Sequence, residues 1–154
     1  MKFGKVEEPD LIAFTLPPDH PKGSFPSVEK RELVIRSGGT MWNVPKWKGK
    51  VYPLDAKQKE GILNYGKQFD TIELNASHYQ TPNPDRVRSW CDSVPEHFKF
   101  CPKWPQTITH YRRFRNCDQQ TEAFLVALDA FGTKLGQSFM QLPPNFASNR
   151  AENL

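Results

Sequence analysis

Apolar residues along the chain repeat with two periods that take turns. Leu33-Val34-Ile35 is a short apolar run closed by Gly38-Gly39, the pattern of a buried strand followed by a tight turn. Behind Asp55, a helix-capping residue with Gln58 three places on, Ile62, Tyr65, Gly66 and Phe69 recur at helical spacing. Thr71-Ile72-Glu73-Leu74-Asn75 alternates and predicts a second strand. Pro82 or Pro84 then opens a second helix, whose apolar stripe is Val87, Trp90, Cys91 and Val94. Phe98-Lys99-Phe100-Cys101 is the third strand. Asp118 begins the longest helix, with Thr121, Phe124, Leu125, Leu128 and Phe131 on one face and Gly132 placed to end it. Gln137 to Leu142 is the fourth strand.

Strands that alternate with amphipathic helices call for a parallel sheet with right-handed crossovers. The predicted fold class is therefore α/β, a parallel β/α (TIM-like) barrel of which only the first four βα units, a half barrel, are present in residues 32–154. Residues 1–31 carry five prolines and neither period, and read as an extended N-terminal arm. Leu11, Ile12, Phe14 and Leu16 give that arm something to pack; a disordered tail is the rival reading.

Strand parity turns the fold into a site. Ile72 and Leu74 must face the helices, so Thr71, Glu73 and Asn75 point into the barrel, the last two near the strand's C-terminal end, where barrel enzymes keep their chemistry. By the same parity Phe98 and Phe100 lie under the helices while Lys99, Cys101 and Lys103 look inward, and Gln137, Phe139 and Gln141 share the inward side of the fourth strand. Glu73, Asn75, Lys103 and Gln141 then converge from three successive strands on one mouth. The structural alternative is a satisfied interior network joined by a salt bridge.

The loop Thr109-His110-Tyr111-Arg112-Arg113-Phe114-Arg115 adds an imidazole and three guanidiniums, suited to phosphate or carboxylate because arginine offers a planar fork of donors. His110 can carry protons near neutral pH. Trp42, Trp47 and Tyr79 form either an apolar wall for a sugar or base or a plain cover for the barrel rim.

Charge and cysteine usage narrow the classes. A formal charge of +4 suits anionic partners but is too small to announce nucleic-acid binding. Cys91, Cys101 and Cys117 show no CxxC spacing, so neither a disulfide framework nor a zinc site is indicated. The N-terminus has lysines and acids but no apolar stretch, so a soluble, cytoplasmic protein without a membrane partner is expected. Glu73 and His110, with His78 a poor third, are too few ligands for a metal site, so no metal is expected, and no residue names a cofactor.

Several ordered motifs resemble one known family, the domain of unknown function 72 or YecE-like proteins. They are Gly38 to Trp42, Trp47-Lys48-Gly49-Lys50-Val51-Tyr52-Pro53, Glu73-Leu74-Asn75-Ala76-Ser77-His78-Tyr79, Phe98 to Lys103, Ile108-Thr109-His110, and Leu135-Gly136 running to Gln141-Leu142-Pro143-Pro144-Asn145-Phe146. The match spans about residues 33–146, and the arm, with Gly4-Lys5-Val6 and Thr15-Leu16-Pro17-Pro18, looks like the leader of one branch. Ser37, Met41 and His78 depart from the family's usual residues, the last standing in place of phenylalanine. The resemblance implies a variant eight-stranded β/α barrel, and because family members continue through a second half, it also implies a fragment, an incomplete gene product or a partly covered protein.

Three functions compete. The first is an enzyme acting on a phosphorylated or otherwise anionic small molecule or a phosphodiester, with Glu73 as acid or base, Lys103 and the arginine loop (Arg112, Arg113) as charge stabilisers, and His110 as second proton carrier. Trp42, Asn75, Tyr79 and Gln141 would then contact substrate. The second is a non-catalytic module binding an anionic ligand or nucleic acid. The third is a chain with no activity by itself, whose open strand edges lead it to self-associate.

Overall fold

The structure, a computed structural model, describes residues 33–146. The expected arm at 1–31 lies outside them. What is described is mixed α/β with parallel strands. In chain order its elements are α1 (Gly61–Gly66), β1 (Thr71–Leu74), α2 (Ala76–Tyr79), α3 (Pro84–Asp92), β2 (Lys99–Pro102), a π-helical turn (Thr107–Arg112) and α4 (Asp118–Asp129), with short 3₁₀ turns between.

β1 and β2 pair in parallel with Thr71 opposite Lys99, Ile72 opposite Phe100, Glu73 opposite Cys101 and Leu74 opposite Pro102. The predicted parity holds. Ile72, Leu74, Phe98 and Phe100 are all 2% exposed or less, and they pack with Tyr65, Val87, Trp90, Phe124, Leu128 and Phe131 in one core. Each such side chain contributes about 1.5–3 kcal/mol of burial, so the two short strands are held by their helices as much as by each other.

Both predicted outer strands approach this pair without completing a ladder. On one side, Asp70 N–H donates to the Ser37 carbonyl at 3.1 Å and Glu73 N–H to the Gly39 carbonyl at 3.0 Å. Gly38 must be glycine here, since a Cβ would stand 1.8 Å from the Thr71 carbonyl oxygen. The apolar run expected to be the buried strand lies before this contact, and Leu33, Val34 and Ile35 are 82%, 63% and 80% exposed. Pairing therefore begins one step past the residues whose apolarity predicted it.

On the other side, Gly136 N–H donates to the Phe100 carbonyl at 2.7 Å and Phe139 N–H to the Pro102 carbonyl at 3.1 Å. Three residues of this segment thus span two of β2, a bulge. The Pro102 carbonyl faces the segment, so its missing N–H would have faced it too, and the ladder loses that bond. The expected strand Gln137–Leu142 is accordingly reduced to a single bridge between Lys103 and Phe139.

The helices follow the sequence with two corrections. α1 starts at Gly61, because Asp55 is taken up in the turn that closes with Ala56 N–H on the Pro53 carbonyl at 3.1 Å, and a 3₁₀ turn at Gln58–Glu60 leads in. On α4, Phe124, Ala127, Leu128 and Phe131 form the buried i, i+3, i+4, i+7 face, while Leu125, about 100° round the helix, is 50% exposed. Asn83 caps α3, its Oδ1 accepting from Asp85 N–H at 2.8 Å. At the other end of α3, the buried Lys134 ammonium donates to the Cys91 and Val94 carbonyls at 2.8 and 3.0 Å, satisfying groups the helix leaves open. The three cysteines are free thiols. No helix among the described residues is long and apolar enough to cross a membrane.

Tyr65 joins the first segment to the sheet. Its hydroxyl accepts from Gly39 N–H at 2.5 Å and donates to the Thr71 carbonyl at 2.9 Å. Tyr65→Phe keeps the ring but strands both backbone groups, so a loss of about 1–3 kcal/mol in unfolding free energy is expected by urea titration. A variant as stable as the parent would show that the hydroxyl does not hold this edge.

Candidate functional site

The C-terminal ends of β1 and β2 are tied together by one hydroxyl. Ser77, in the first turn after β1, lies 2.7 Å from the Leu74 carbonyl and 2.8 Å from the Lys103 carbonyl, to both of which it can donate. Around this tie the predicted residues fall into two pairs. Asn75 Nδ2 donates to Glu73 Oε1 at 3.0 Å, and Lys103 Nζ donates to Gln141 Oε1 at 2.6 Å. Asn75 Oδ1 is buried and unpartnered, an acceptor awaiting a donor. Glu73 also lines a groove of about 420 Å³ with Gly38, Thr71, Cys101, Gln137 and Phe139.

Among the described residues no ion pair joins Glu73 to Lys103. The Lys103 charge meets an amide and the face of Phe139, 6.0 Å from Nζ, and no carboxylate among the described residues. Lys99, expected to look inward, sends its Nζ to the Thr133 carbonyl instead.

His110 sits in the π-helical turn Thr107–Arg112, anchored by the fully buried Ile108 and Thr109. Such turns hold one extra residue and recur at functional sites. Beyond it Arg113, Phe114 and Asn116 all have left-handed φ values of 50°, 64° and 48°. That strain is held from outside: Arg113 Nη2 donates to Asn145 Oδ1 at 3.1 Å, and Phe114 meets Phe146 edge-on at 6.0 Å. Arg112 donates to the Asn116 carbonyl at 2.8 Å. The two arginines thus shape the loop, with further donors left for a ligand.

One group missed as a site residue is His78 on α2. It is 8% exposed, its Nδ1 lies 2.7 Å from the Trp104 carbonyl, and its ring stands 5.0 Å from that of His110. Position was the available signal, since the turn after β1 overhangs the same strand end. Burial first, and then the charges of His78 and Lys103, lower the His110 pKa below its ordinary value. Its imidazole is neutral at pH 7.

The aromatic residues divide. Trp47 packs against Tyr52, Tyr65 and Phe69 as rim cover. Trp42 stands edge-on to Trp90 and lines a separate cavity of about 270 Å³ with Lys48, Tyr52 and Lys57, which shares no residue with the groove. Tyr79 is exposed beside His78, at 5.5 Å between ring centroids. No group of three or more His, Cys, Asp or Glu among the described residues could hold a metal ion.

Residues 36–154 match the family described as protein of unknown function DUF72. UPF0759 protein YecE of Escherichia coli K12 is 31% identical over 73% of this chain and 39% of its own length, and UPF0759 protein YunF of Bacillus subtilis 168 is 28% identical over 62% and 36%. The chain therefore spans about two fifths of the curated relatives it matches. A crystal structure of a DUF72 family protein from Enterococcus faecalis V583 superimposes with a TM-score of 0.61 at 19% identity, over 78% of this chain and 44% of that one.

The lowered His110 pKa has a consequence for stability. The unfolded chain takes up the proton at about pH 6.5 and the folded chain only below that. Stability linked to His110 is therefore complete above that pH and is lost as pH falls through the folded value. His110→Gln should remove this part of the acid sensitivity in urea midpoints measured from pH 8 to 5. The His110 Cε1 proton should titrate below free histidine in NMR and move part of the way back in Lys103→Ala.

Proposed function

The chain belongs to the DUF72 family, and on that footing we propose that its described residues form the first four βα units of a TIM-like barrel whose strand mouth receives an anionic group. The observation that carries this reading is the Lys103 ammonium, which stands at the strand ends with an amide partner and, among the described residues, no carboxylate, beside neutral His110. A phosphate or carboxylate would supply the missing counter-charge, and charge-assisted bonds of this kind are about twice as strong as neutral ones.

We assign the site to phosphoester chemistry on a small molecule or phosphodiester. Glu73, oriented by Asn75, and His110 are the groups able to carry protons, while Lys103 and Gln141 bind and stabilise the anion. Water attacks phosphorus as the ester P–O bond breaks; one proton leaves the water and one reaches the departing oxygen, and these two groups carry them. In a closed barrel the other side of the mouth comes from residues beyond the described ones.

Aryl phosphomonoester and phosphodiester turnover tests the assignment. Glu73→Gln should lower kcat by about 100-fold or more, and Lys103→Ala should raise KM. Turnover untouched by Glu73→Gln removes the enzyme reading; anion binding that Lys103→Ala weakens, without turnover, leaves a binding module. As a half barrel, the 154-residue chain by itself exposes strand edges and should self-associate in sedimentation velocity. A monomer that melts cooperatively would argue against it.

A further inference from the structure

Two imidazoles from different strand ends meet at this mouth, and the hydrogen bonds fix which nitrogen of each carries the hydrogen. The Trp104 carbonyl can only accept, so His78 Nδ1 donates to it. The Thr109 hydroxyl gives its proton to the Pro105 carbonyl at 3.1 Å, so its oxygen accepts from His110 Nδ1–H at 2.8 Å. In its neutral form an imidazole has one N–H and one lone pair, so with Nδ1 donating the lone pair is on Nε2. Among the described residues neither Nε2 has a hydrogen-bond partner, and neither atom is completely buried.

The surroundings select the sign of that ligand. Facing His110 are His78 from α2 and Lys103 from the end of β2; Tyr111 and Arg112 are on its own turn. α4 packs against the turn with Asp118 and Glu122 near its start, yet neither acts on His110. With cationic or neutral groups on these sides, a metal dication finds no charge to offset it, whereas an oxyanion does.

We propose that His78 and His110 form a proton-gated clamp for a phosphate-type dianion, whose binding brings one proton onto the Nε2 pair next to Lys103. The clamp deepens the reading of the mouth as an anion site and rests on it. A dianion at the pair offsets the repulsion that lowers the His110 pKa, so proton and anion bind as linked ligands. His78 thereby becomes a binding residue of the same site.

Sulfate is the clean probe, because it is a tetrahedral dianion that does not itself titrate at these pH values. Calorimetry in two buffers of different ionisation enthalpy should find about one proton taken up per sulfate, with affinity falling about tenfold per pH unit between pH 6 and 8. In the unaltered chain, sulfate should also raise the midpoint of the His110 NMR titration. His78→Gln and His110→Gln should each flatten the pH slope, while His97→Gln, at the other end of β2 and paired with Asp70, should keep it. Lys103→Ala should weaken binding and preserve the slope, and inorganic phosphate should compete with sulfate. Binding without pH dependence that only Lys103→Ala weakens overturns the clamp and spares the anion site. No sulfate binding at all overturns both. One-to-one Zn²⁺ binding that His78→Gln abolishes, with no sulfate bound, would make the pair a metal site and also overturn the proposal.

Discussion

The alternation of side chains in two four-residue strands governs everything placed around them. With Ile72 opposite Phe100 and Leu74 opposite Pro102, one face of the β1–β2 pair is apolar and covered, and the other is left to Thr71, Glu73 and Cys101. A slip of one residue would send Glu73 under the helices and Ile72 into the groove. Burial of Phe98 and Phe100 makes that slip costly, and the Ser77 tie keeps the two strand ends level. The site inherits its geometry from the register.

This is also why the centre of the fold was legible in the sequence and its margins were not. β1, β2, α3 and α4 bury one face each, and burial writes a period. The outer segments meet the sheet through a glycine that must approach a carbonyl, a bulge and a proline without a donor, none of which shows in the apolar count. Leu33-Val34-Ile35 misled because apolar residues predict burial only where something covers them. Parity led to the expectation of a common side for Glu73, Asn75, Lys103 and Gln141, but not to the Glu73–Asn75 and Lys103–Gln141 bonds, since parity gives a side and no distance. His78 escaped because α2 has four residues, too few to display a helical face. Trp47 shows the opposite limit, an aromatic residue whose type suits a ligand wall and a rim cover equally well.

Amides take the partner's role at both ends of this mouth. Asn75 orients the carboxylate of Glu73 and Gln141 receives the ammonium of Lys103, so each charge is held in place without being neutralised. A carboxylate–ammonium pair would have been quieter electrostatically and poorer chemically. The arginine loop obeys a different economy, with Arg112 and Arg113 bonded to Asn116 and Asn145 so that a left-handed stretch keeps its form.

The π-helical turn that carries His110 accommodates one residue more than an ordinary helical turn would. Removing one of Thr107, Ile108 or Thr109 would let the turn relax toward an α-helix and swing the following side chains by about 100°. His110 would then face away from His78 although neither histidine had changed. In a lineage that gains and loses single residues, the meeting of these two rings is thus inherited as a length, and a relative could keep both histidines yet lose the contact through one deletion.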